Sequence, residues 1–120
     1  MERVQTLKHN GKDVILVDLS HCKPEESVGV IKTGMEVIGK AQPKSARVLT
    51  DVTESVYDKN VASAIKDFVK HNTPFVKCSA VVGATGIREV LLNTVIFITR
   101  REIKTFRDRQ SAMDWVASIS

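Results

Sequence analysis

Val4 to Lys8 and Val14 to Leu19 are rich in β-formers, and between them stands Asn10-Gly11, a dipeptide that tolerates the positive φ angles of a type I′ turn. An opening β-hairpin is predicted. The period then changes, with Val28, Ile31, Met35 and Ile38 recurring at helical spacing. Pro24 suits the first turn of that helix, and Glu25 and Glu26 lie where the amino-terminal dipole favours carboxylates. Gly29, Gly34 and Gly39 each weaken a helix by roughly 1 kcal/mol relative to alanine. Either close packing on a sheet compensates, or the helix is left mobile.

Ala41 to Ser45, with Pro43, reads as a loop and Arg47 to Thr50 as a short buried strand. Ser55-Val56-Tyr57-Asp58 has the hydroxyl and carboxylate spacing of a capping box, and it opens a helix whose apolar face is Val61, Ala64, Ile65, Phe68 and Val69. His71 to Pro74 ends this helix, and Phe75 to Val82 is a further strand. Ile87, Val90, Leu91, Thr94, Val95 and Ile98 then recur at intervals of three and one, the spacing of a helix buried on one side. The β-branched run Thr94 to Thr99 would also suit a strand; the helix is the preferred reading. A second row, Leu92, Ile96 and Phe97, is expected on the outer side of that helix, as a subunit contact, a wall facing a ligand or an interfacial membrane surface, unless the helix sits deeper in its own domain. Ile103 to Phe106 reads as a last strand. Ser111, Ala112, Trp115, Val116 and Ile119 lie on or near a closing helix whose start Asp108 can cap. Alternating strands and helices after a hairpin predict an α/β fold with a mostly parallel sheet, right-handed crossovers and about four helices.

Composition makes this one ordinary folded domain. The chain has 120 residues, 42% hydrophobic and 27% charged, enough for a continuous core without staples. The most apolar window, Val90 to Thr99, is far shorter than the roughly 20 residues of a membrane crossing. Met1-Glu2-Arg3-Val4 lacks the flank and apolar core of a signal peptide, so a cytoplasmic protein is expected. Cys22 and Cys78 are too far apart for a paired zinc or redox motif and read as free thiols. Most of the net charge of +4 comes from Arg100, Arg101, Lys104, Arg107 and Arg109, interspersed with Glu102 and Asp108. That mixture reads as a solvated face and not as a nucleic-acid surface.

Candidate chemistry is sparse. Val82-Gly83-Ala84-Thr85-Gly86-Ile87 has the look of a phosphate-cradling turn, but Glu89 stands where the dinucleotide fingerprint has a third glycine, and its charge would repel a pyrophosphate. Asp51, Glu54 and Asp58, with Tyr57, could supply acid-base chemistry, yet such residues at a strand-to-helix turn are ordinary caps. His9, His21 and His71 form no metal-ligand spacing and read as a turn residue, an isolated histidine and a helix end. No catalytic residue, cofactor or metal is therefore expected. The turn leaving a strand's carboxyl end is the usual ligand or partner surface of an α/β protein, which directs attention to residues 51–60.

The order of elements, with Val48-Leu49-Thr50-Asp51 before the second helix, Ala80-Val81-Val82-Gly83 before the third and Phe106 to Trp115 at the end, resembles the STAS domain over nearly the whole chain. It looks most like the uncharacterised SpoIIAA-like branch. The resemblance implies a non-enzymatic regulatory or scaffold domain that binds a protein partner through Asp51, Thr53, Glu54, Ser55, Tyr57, Asp58 and Asn60. It is expected to form a homodimer through Leu92, Ile96 and Phe97. Anti-sigma-factor antagonists of this fold carry a phosphorylated serine in an aspartate-serine-serine-glycine motif. Asp58-Lys59-Asn60-Val61 stands there instead, and the neighbouring hydroxyls Thr53 and Ser55 read as helix caps. A related arrangement in CRAL-TRIO lipid carriers implies the alternative of a small hydrophobic ligand or lipid held against Leu92, Ile96 and Phe97.

Overall fold

The computed structural model describes residues 2–56, 58–86, 89, 90, 92–94, 96 and 102–120. Tyr57 and Phe97 of the expected site lie outside the described residues, as do Ile87, Leu91, Val95 and Ile98 of the expected third helix and Arg100 and Arg101 of the basic cluster. The chain runs β1 (Val4–His9), β2 (Lys12–Asp18), α1 (Pro24–Ile38), β3 (Ala46–Asp51), α2 (Lys59–Asn72), a 3-10 turn (Thr73–Phe75) and β4 (Val76–Val82). Glu89, Val90, Leu92, Asn93, Thr94 and Ile96 are helical, and these residues are referred to as α3. β5 (Lys104–Phe106) and α4 (Arg109–Ser118) follow.

The five strands form one sheet in the order β1-β2-β3-β4-β5, antiparallel at the hairpin and parallel elsewhere. The mixed α/β architecture agrees with the sequence pattern. Asn10 and Gly11 both take positive φ, 50° and 79°, as a type I′ turn requires. Pro24 begins α1, and the Glu26 carboxylate accepts a bond from the Lys23 N–H, stabilising a free amide of the first turn.

Alternation along the strands divides the core in two. Ile15, Val17, Leu19, Val48 and Val76 pack with Ile31 and Ile38 of α1 and Val61, Phe68 and Val69 of α2. Val14, Leu16, Leu49, Cys78, Ala80 and Val82 pack beneath Ala112 and Val116 of α4. An irregularity in register, where Ala46 faces Val76 but Arg47 faces Cys78, leaves Lys77 as an extra residue and returns β4 to the right alternation for both layers. α4 is held at both ends. Asp108 accepts from Ser111 N–H at its start, and Arg47 donates to the Val116 and Ile119 carbonyls at its end, at 3.0 and 2.7 Å. His9, expected to be a simple turn residue, sits at the end of β1 and bonds Asp114 of α4 at 2.7 Å.

The α1 glycines differ in role. A Cβ on Gly34 would approach Val17 Cγ2 and Phe68 Cε2 at 3.2 and 3.3 Å, which is the close sheet packing expected, whereas one on Gly29 would meet nothing within 4 Å. Gly83 is more constrained than either. Its φ is +82°, and a Cβ would lie 2.7 and 2.8 Å from the Thr53 Cα and N. Backbone contact between the loops leaving β3 and β4 thus requires a glycine. Gly29→Ala is expected to stabilise the protein by about 0.5–1 kcal/mol through helix propensity. Gly83→Ala should destabilise it by more than about 2 kcal/mol. Urea denaturation of both variants checks the opposite signs.

Candidate functional site

The carboxyl ends of β2, β3 and β4 share one rim. The loop leaving β3 is tied to both neighbours by backbone bonds: Leu19 N–H to Asp51 O, His21 N–H to Thr53 O, Val56 N–H to Cys22 O, and Val52 N–H to Val82 O. Within the loop, Thr53 N–H donates to Asp51 Oδ1 at 2.9 Å, and both the N–H and the hydroxyl of Ser55 donate to the Val52 carbonyl. Glu54 adopts φ 52° at the tip. These bonds fix a preformed loop with Val56 58% exposed, beside exposed Glu54, Asp58 and Asn60 and half-buried Thr53.

Two of the residues expected at this surface are buried instead. Asp51 is only 4% exposed, and Ser55 points inward. The alternation that directs Leu49 toward α4 carries Asp51 with it, and there Arg109 Nε meets Asp51 Oδ2 at 2.6 Å while Arg109 Nη2 reaches Asp18 Oδ1 at 3.1 Å. Asp18 and Asp51 are register partners on adjacent strands, so the guanidinium neutralises two neighbouring carboxylates and ties the start of α4 to the sheet. The expected capping box is also corrected. Ser55 is engaged with Val52, and Asp58 itself caps α2, accepting from Asn60 and Val61 N–H at 2.9 and 3.0 Å. Neither Thr53 nor Ser55 caps that helix.

These roles limit the chemistry available at the rim. Asp51 has a partner on each oxygen, and Asp58, though exposed, is committed to a helix terminus, which leaves Glu54 as the carboxylate of the three without such a role among the described residues. Burial pushes the Cys22 thiol above its ordinary value, with Arg3 opposing more weakly, the reverse of what activates a cysteine nucleophile. Among the described residues no group of three His, Cys, Asp or Glu side chains could hold a metal ion, and no helix is long and apolar enough to cross a membrane.

The face of α3 is reversed from the expected one. Leu92, read as outward, is 8% exposed and turned into the domain, and Ile96 is half-buried. Val90, read as inward, is 64% exposed, and Thr94 is exposed too. Leu92 borders an apolar cavity of about 70 Å³ beneath α2. Val48, Thr50, Ser79 and Val81 of β3 and β4 form its floor, and Val61, Ile65, Phe68 and Val69 of α2 its roof, while Val52 and Ser55 close the end nearest the rim loop. The volume is well below the ~300 Å³ at which drug-sized sites begin.

Burial raises the Asp18 carboxyl, but bonds from the Ser20 hydroxyl and N–H, together with Arg109, outweigh it and hold the group below its ordinary value. A depressed carboxylate stabilises the fold at pH values above its unfolded pKa, and that contribution is lost as pH falls through the folded one. Arg109 remains charged throughout, its affinity for the proton increased by Asp51 and Asp18 against the opposing effect of its own burial. Arg109→Met is expected to cost about 2 kcal/mol, between the exposed-pair and buried-pair ranges because the guanidinium is partly solvated while Asp51 is not. Adding Asp51→Asn should recover part of that loss by removing the stranded charge. Urea midpoints at pH 7 and below pH 4 test both statements, the Arg109→Met deficit shrinking in acid.

No protein-family model, curated protein or solved structure matches this chain, and its functional reading rests on the rim loop, the arginine bridge and the cavity.

Proposed function

We propose that this is a non-enzymatic recognition domain, regulatory or scaffolding in role and STAS-like in its element order, that docks a protein partner on the loop following β3. The observation carrying the reading is the combination of a preordered backbone and a solvent-facing Val56. An ordered loop loses little conformational entropy on binding, and an exposed apolar side chain ringed by polar groups gives a contact centre to bury. Compared with the sequence expectation, the contact set loses Asp51 and Ser55 and gains Val56, and among the described residues it comprises Thr53, Glu54, Val56, Asp58 and Asn60. Asp51 and Ser55 act behind the surface, holding the loop's shape.

Exposed Glu54 and Asp58 beside Val56, with Glu89 exposed at the start of α3, favour a partner segment that pairs an apolar anchor with basic flanks. Val56→Asp removes the anchor, since the side chain is exposed and the bond Val56 makes among the described residues is from its backbone N–H to Cys22 O. Cross-linking in native extract followed by mass spectrometry should recover a partner with the wild type and lose at least tenfold of it with Val56→Asp, at unchanged thermal stability. Equal recovery with both proteins would remove this loop as the docking surface. Turnover of a substrate by the purified protein would replace the recognition reading with catalysis.

A further inference from the structure

Thr50 and Ser79 are the hydroxyl-bearing residues of the cavity floor, and Ser79 already has an interaction of its own. The neighbours of Thr50 on the same face of β3, Val48 and Val52, are apolar, as are Leu19, Phe68 and Leu92 around it. Thr50 is half-buried, and its hydroxyl borders an apolar space in which a bound polar group would need a partner. Among the described residues the Thr50 hydroxyl has no side-chain hydrogen bond, whereas Ser55 at the cavity's end donates to the Val52 carbonyl. No described residue lining the space carries a charge. An anion or cation lodged there would lose its hydration with nothing to neutralise it.

Size narrows the occupant further. A cavity of about 150 Å³ lined by aliphatic and aromatic side chains takes benzene, so by proportion 70 Å³ holds roughly three non-hydrogen atoms. We propose that the cavity is a binding site for a short uncharged alcohol, its hydroxyl on Thr50 Oγ1 and its alkyl part among Leu19, Phe68 and Leu92. The site is built from β3, β4 and α2, and it does not depend on the recognition reading of the rim loop. At the efficiency ceiling of very small ligands, the dissociation constant is no tighter than about 0.5 mM.

Methyl-labelled protein titrated with ethanol, acetate and xenon tests the site. Ethanol should give saturable shifts at the Leu92, Val81 and Ile65 methyls, acetate none at equal concentration, and xenon shifts at the same methyls. Thr50→Val should weaken ethanol about tenfold, the loss of one hydrogen bond, while leaving xenon unchanged. Thr50→Ser, which keeps the hydroxyl, should retain alcohol binding and so separate loss of the donor from loss of the fold. Equal ethanol affinity in wild type and Thr50→Val would overturn the role of Thr50. Absence of saturable shifts with ethanol, or acetate binding as tightly as the alcohol, would overturn the site.

Discussion

Apolar side chains on both faces of β2, β3 and β4 are the constraint from which the architecture follows. A strand carrying Val14, Leu16 and Leu49-type positions on one side and Ile15, Val17 and Val48-type positions on the other must be covered twice. α1 and α2 cover one face from within the crossovers that parallel pairing demands. On the other face, α4 supplies the helical cover among the described residues, which explains the number of polar contacts that fasten so short a helix. Arg109 fixes its beginning to two strands, Arg47 reaches its last carbonyls, and His9 bonds its middle through Asp114.

The same rim that receives Arg109 also shapes the loop above it. Asp51 directs one oxygen to Arg109 and the other to the Thr53 amide, so a single carboxylate links α4 to the path of the rim loop. Gly83 completes the arrangement from the β4 side by letting the adjoining backbone come within contact of Thr53. Val52 and Ser55 are at once the back of this loop and the end wall of the apolar cavity. Surface, ion bridge and interior space are therefore built from one short stretch of chain, although they involve different physical forces.

Features governed by neighbouring residues were legible in the sequence. The Asn10-Gly11 turn, the Pro24 start of α1 and the Asp108 cap each depend on two to four adjacent positions, and each forms as expected. Features governed by distant partners were not. The burial of Asp51 follows from Arg109, 58 positions away, and no local pattern announces that pairing. The direction of α3 was misread for another reason. Apolar residues lie on more than one row of that helix, so spacing alone suits either face, and the contact of Leu92 with the cavity decides it. At the α2 start both Ser55 and Asp58 had suitable chemistry; the hydroxyl's closer bond to Val52 leaves Asp58 as the cap. The unpartnered Thr50 hydroxyl had no signal at all in a run of β-formers.

The position of α4 in chain order has a consequence for how the polypeptide is made. Synthesis delivers the strands before this helix, so until α4 docks Val14, Leu16, Leu49, Ala80 and Val82 form a bare greasy plane. For that interval the nascent polypeptide resembles an aggregation-prone intermediate, and holdase chaperones have a defined patch to shield.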